Sequence, residues 1–105
     1  MAEDADAARG ALLYVEDDPR IAAMTVEVLS EAYRVDHATT GEAGLQLALN
    51  GRYDVMVVDR RLPGMDGVEF IRAVRTARIT TPILMLTALG SVDDRVSGLD
   101  GGAND

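Results

Sequence analysis

YDVMVVDRRLPGMDG, residues 53–67, carries an apolar strand straight into Asp59 and then into a turn made of Leu62, Pro63 and Gly64. The apolar run 55–58 has no polar alternation, which marks a strand covered on both faces. An aspartate at the mouth of such a strand either caps the turn that follows or does chemistry there. The rest of the chain decides between these.

Working outward, the same arrangement recurs. Upstream, the apolar run ALLYV (11–15) leads into EDDP, and Pro19 suits the first turn of a helix, where its missing N–H costs nothing. That helix is predicted to place Ile21, Met24, Val28 and Leu29 on one inward stripe. YRVDHA (33–38) alternates as a strand, and Thr39 with Glu42 has capping-box spacing for a helix running to Asn50 and closed by Gly51. Downstream, DGVEFIRAVRTAR predicts a helix with Phe70, Ala73, Val74 and Ala77 on one stripe. Pro82 can start the strand ILMLT, where no ladder donor is needed, and Ser91 opens a last helical stretch with Val92, Val96 and Leu99 on one face.

Strands alternating with helices predict an α/β fold, a parallel sheet with right-handed crossovers and helices on both faces. Composition agrees with one such domain. The chain has 105 residues, 48% hydrophobic and 27% charged, with a net charge of −8. No basic stripe offers a nucleic-acid surface, and no apolar run approaches the ~20 residues of a membrane span. Cysteine is absent, which removes disulfide and thiolate chemistry and fits a cytoplasmic setting. All ten basic residues are arginine, so chemistry that needs a lysine ammonium has no donor in these residues. Residues 1–9 read as a loose acidic tail, and residues 10–105 as the domain.

Ligands of open α/β sheets bind beyond the carboxyl ends of the strands. Glu16 and Asp17 follow the first strand, Asp59 ends the third and Thr87 ends the fourth. If the first and third strands are neighbours, these side chains share one crevice. Two carboxylates about 4 Å apart repel by about 4 kcal/mol at an effective dielectric of 20. Such a cluster persists by holding a cation or a proton, and hard oxygen donors suit Mg²⁺. A carboxylate is also a nucleophile able to form an acyl phosphate.

LLYVEDDP, YDVMVVDRRLPGMDG, PILMLTA and GLDGGAND, in this order and spacing, resemble the receiver domain of two-component response regulators. The resemblance covers residues 11–105, and the LPGMDG turn is most similar to regulators with a winged-helix DNA-binding output. It implies a flavodoxin-like doubly wound sheet of order 2-1-3-4, with a fifth strand and helix beyond the end of this sequence. On it, Asp59 accepts a phosphoryl group from a sensor histidine kinase. Asp17, Asp59 and the backbone carbonyl of Arg61 hold Mg²⁺, Glu16 acts mainly through water, and Thr87 contacts the phosphoryl oxygens. Asp18 is expected to point outward. The family's lysine lies on the fifth strand, so the chain reads as a receiver truncated before its last strand and helix. DNA contact would come through an output domain outside this segment.

Each residue also has a plainer reading. Asp59 could cap its turn, the run 16–18 could favour a helix dipole, and Thr87 could be an ordinary strand residue; only their combination promotes them. His37 reads as a strand-end residue, Asp93 and Asp94 as helix-start charges. An aspartyl phosphatase would place a second acid where this chain has Arg61, and a nucleotide site lacks any glycine-rich phosphate loop. The domain therefore reads as a regulatory phosphoacceptor rather than an enzyme, with a phosphate-independent interaction module as the alternative. A fourth strand with an open edge, Ile83 to Leu86, is expected to pair two copies of the chain.

Overall fold

The computed structural model describes residues 9–86. Within them the order is β1 (Gly10–Val15), α1 (Pro19–Leu29), β2 (Tyr33–Ala38), α2 (Gly41–Asn50), β3 (Val55–Asp59), α3 (Gly67–Thr76) and β4 (Ile83–Leu86). The strands form one parallel sheet in the order β2-β1-β3-β4. The order and parallel sense are those the resemblance implied. The helical stretch expected after Ser91 and the position of Thr87 lie outside the described residues.

Two cores flank the sheet. The larger joins Leu13, Val15, Met56, Val58 and Met85 to Ala48 of α2 and to Phe70, Ile71 and Val74 of α3. The smaller joins Leu12, Tyr14 and Val57 to Ala22 of α1, with Val26 and Leu29 packed against it. Residues 12–15 all point into one core or the other, which is why their sequence shows no polar alternation. Pro82 precedes β4, and its carbonyl accepts from Met56 N at 2.9 Å, so the strand starts where no amide is needed.

Helix ends follow local chemistry. Asp18 caps α1, its Oδ1 accepting from Arg20 N and Ile21 N, with Pro19 in the first turn. Asp66 and Glu69 form a reciprocal capping box on α3. The cap of α2 is Thr40, whose Oγ1 accepts from Ala43 N at 3.0 Å. Thr39, at capping-box spacing from Glu42, is one residue too early: Thr40 is the extended residue next to the first helical turn.

The inward stripe of α1 also differs from the periodic reading. Ala22, Val26 and Leu29 face the sheet, whereas Ile21, Met24 and Val28 are 50%, 71% and 66% exposed. The periodicity allowed either stripe. The smaller one is buried, packed against Leu12, Tyr14 and Val57. On α3, Ile71 joins Phe70 and Val74 inside, and Ala77 lies outside as the C-cap.

Helix α2 comes close to the sheet through Gly44, where an added Cβ would lie 2.7 Å from Val15 Cγ2 and 3.2 Å from Phe70 Cε1. Both neighbours are fully buried and cannot retreat. Gly44→Ala gains up to about 1 kcal/mol of helix propensity against an overpacking cost of about 1–3 kcal/mol. A net loss on the order of 1 kcal/mol is expected from urea unfolding midpoints. A midpoint at or above the parent's would show that α2 can lift off at no cost.

Candidate functional site

Register builds the site. Val15 of β1 sits opposite Val58 of β3, so the next residues, Glu16 and Asp59, emerge side by side from the carboxyl end of the sheet. Asp59 itself is paired with Leu86 on β4. Carboxylate oxygens of Glu16, Asp17 and Asp59 all lie within 4.8 Å of one another. Glu16 is buried, Asp59 half-buried and Asp17 exposed, so the cluster has a dry floor and an open mouth.

Glu16 is held at several atoms. Its amide donates to Ala38 O at 2.9 Å, and its carbonyl accepts from His37 Nε2 at 2.8 Å, so that nitrogen carries the proton. Its Oε2 accepts from Asp18 N at 3.1 Å. Asp18 turns its own carboxylate onto α1, so the third acid of the run is a cap and stays out of the cluster. At Asp59 the chain is fixed by Arg60 N donating to Leu86 O at 2.8 Å and Gly67 N donating to Arg60 O at 3.0 Å. Gly67 is required there: a Cβ would fall 2.8 Å from Asp59 O and 2.9 Å from Arg60 Cα. Gly64, in the turn between them, has φ +72°, a conformation glycine adopts without strain.

Charge is crowded here. Burial pushes the Glu16 carboxyl above its ordinary range; the Asp18 amide opposes this, and the charges of Asp59 and Asp17 reinforce it. Burial likewise pushes Asp59 up, opposed by the backbone N–H of Arg61 and reinforced by Asp17. Arg61, expected to offer its carbonyl, is an exposed loop residue whose amide turns toward Asp59. A set of hard oxygen donors at this separation, destabilised by its own repulsion, fits a small divalent cation with bound water.

Two supporting residues escaped the sequence reading. His37 bonds to the Glu16 carbonyl, and its ring leans on that of Tyr14, with centroids 5.6 Å apart at 31°. Tyr14 is wholly buried, and its hydroxyl has no hydrogen-bond partner among the described residues. The available signal was strand alternation, which sets Tyr14 on the same side of β1 as Glu16.

Comparison with known proteins identifies the family. The response regulator receiver domain family matches residues 12–105. The transcriptional regulatory protein HprR of Escherichia coli is 47% identical over 95 residues, covering 90% of this chain and 42% of HprR. TcrA of Mycobacterium tuberculosis, another transcriptional regulatory protein, is 44% identical over 95 residues, covering 90% of this chain and 38% of TcrA. Among solved structures, the receiver domain of the Francisella response regulator 1452 superposes with a TM-score of 0.80 at 31% identity, covering 92% of this chain and 81% of that one. The chemotaxis protein CheY4 of Vibrio cholerae gives 0.79 at 37% identity, covering 91% of this chain and 82% of its own. The chain belongs to the response regulator receiver domain family, and it spans about two fifths of the curated relatives named here.

The raised carboxyls have a consequence for stability. The folded chain holds these protons more tightly than the unfolded chain, so the cluster destabilises the metal-free fold fully above the raised pKa values. The penalty fades as pH falls toward the ordinary 4.5 of Glu and 3.8 of Asp. Asp59→Asn is therefore expected to stabilise the metal-free protein at neutral pH. A gain on the order of 1 kcal/mol would be roughly 4–8 °C in Tm. The gain should shrink as the pH is lowered, and an unchanged Tm at both pH values would contradict the crowding.

Proposed function

We propose that this receiver domain accepts a phosphoryl group on Asp59 from a sensor histidine kinase, with Mg²⁺ held at Glu16, Asp17, Asp59 and the Arg61 carbonyl. The observation that carries this reading is the convergence of three carboxylates within 4.8 Å at the carboxyl end of the sheet. When bound, Mg²⁺ would neutralise charge on the cluster and on the incoming phosphoryl oxygens. Asp59, the last residue of β3, presents a carboxylate oxygen to the phosphorus of a phosphohistidine. The new O–P bond forms as the P–N bond breaks, and the imidazole nitrogen keeps the electron pair. Asp17 and Glu16 would hold the cation with Asp59, and Thr87, outside the described residues, is proposed to contact the phosphoryl oxygens.

The exposed stripe of α1 supports a docking role for the kinase. Ile21, Met24 and Val28 begin four residues after Asp17 and leave an apolar face beside the cluster. A partner helix laid along it would bring a histidine to Asp59. The relatives' names support transcription as the output, through a part of the protein this match does not span. The absence of lysine favours slow acceptance by these residues alone.

Intact mass after incubation with acetyl phosphate and Mg²⁺ tests the reading. A gain of one phosphoryl group in the parent, absent in Asp59→Asn, is expected. No gain under any condition would leave an interaction module that works without phosphate. Mg²⁺ at 100 times its dissociation constant should stabilise the fold by about 2.7 kcal/mol, and Asp17→Ala should lose most of that.

We also propose a homodimer through β4. That strand is paired to β3, nothing among the described residues bonds its other edge, and Leu84 there is 36% exposed. Light scattering over a dilution series should show mass rising with concentration; a constant monomer mass would overturn the pairing.

A further inference from the structure

The hydroxyl of Tyr14 is an anomaly. Tyr14 is the largest fully buried side chain, 0% exposed, and it lies in the smaller core among Leu12, Ala22 and Val57. Phenylalanine would fill the same space. Yet a hydroxyl stands there without a hydrogen-bond partner among the described residues, and an unsatisfied buried hydroxyl costs about 1–3 kcal/mol.

Alternation shows where it is aimed. Leu12 and Tyr14 share one face of β1, and Val57 shares that face of β3; Glu16 and Asp59 are the next residues of the same parity on each strand. The Tyr14 ring thus lies directly below the two acids. After burial itself, with Thr25 of α1 pulling the other way, the charges of Glu16 and Asp59 oppose its ionisation, as expected for a phenol under that cluster. The ring is steadied from β2 by His37, its partner in register, which also bonds the Glu16 carbonyl. One carboxylate oxygen of Glu16, Oε2, is taken by the Asp18 amide at 3.1 Å.

We propose that Tyr14 is a positioning residue for the metal site: its hydroxyl donates to the Glu16 carboxylate, directly or through one water, when the cluster closes on its cation. This rests on the Mg²⁺ reading above. The hydroxyl, without a hydrogen-bond partner among the described residues, is a reserve donor for that carboxylate. A second donor on Glu16 then fixes the carboxylate's direction and favours its ionised form beside the cation.

Tyr14→Phe removes only the oxygen. Its metal-free Tm should equal or exceed the parent's, because an unsatisfied group is lost. Mg²⁺ affinity by titration calorimetry should fall about tenfold or more, the usual loss on removing an outer partner of a metal ligand. A hydroxyl that merely supports the core would give the opposite pattern, a lower metal-free Tm and unchanged affinity. That result overturns the proposal. A second measurement leaves Tyr14 intact: in the double variant Tyr33→Phe, Tyr53→Phe, Tyr14 is the remaining tyrosine, and saturating Mg²⁺ should shift its near-ultraviolet absorption. Saturated protein with no shift would also overturn it. If the parent shows no calorimetric binding of Mg²⁺, the metal reading itself fails, and the two failures are thereby told apart.

Discussion

The parallel register of β1 against β3 is the constraint on which the molecule turns. Because Val15 stands beside Val58, the strands deliver Glu16 and Asp59 to the same place, and Asp17 follows on the loop. Like charges at that separation cost kilocalories. The register cannot slip to relieve them. A one-residue shift would turn Leu12, Tyr14 and Val57 into the other core and expel their neighbours. Burial of side chains such as Leu13, Val15, Val58 and Met85, each worth about 1.5–3 kcal/mol, outweighs the repulsion. The fold thus holds an electrostatically unfavourable cluster in place through apolar packing behind it.

Much of this was legible before any coordinates. Unbroken apolar runs at 11–15 and 55–58 fixed two central strands, and the acids ending them marked the crevice. What escaped was decided by tertiary packing. The stripe of α1 could not be chosen from periodicity, because both stripes are apolar and the choice is made in the packing against Leu12, Tyr14 and Val57. Thr39 and Thr40 are equivalent by type, and the chain's entry angle alone selects the cap. His37 looked ordinary because its bond goes to a backbone carbonyl twenty-one positions away, which no local pattern encodes.

The two faces of the sheet are put to different uses. Helices α2 and α3 close over the larger core, with Gly44 and the Asp66–Glu69 box setting their approach. The α1 side carries the smaller core and leaves an apolar stripe outward. That side also holds the unpaired hydroxyl and the His37 buttress. The larger core is apolar throughout, and the polar fine structure gathers beneath the acids.

Gly67 gives the acceptor loop a mechanical character. With no Cβ between them, the first turn of α3 rests on the peptide that carries Asp59, and its amide bonds the next carbonyl. No slack remains at that contact. The backbone at Asp59 bears directly on the first turn of α3, with nothing interposed between them. The missing methyl group is therefore a bearing surface: it seats the start of α3 on the peptide that carries the acceptor carboxylate.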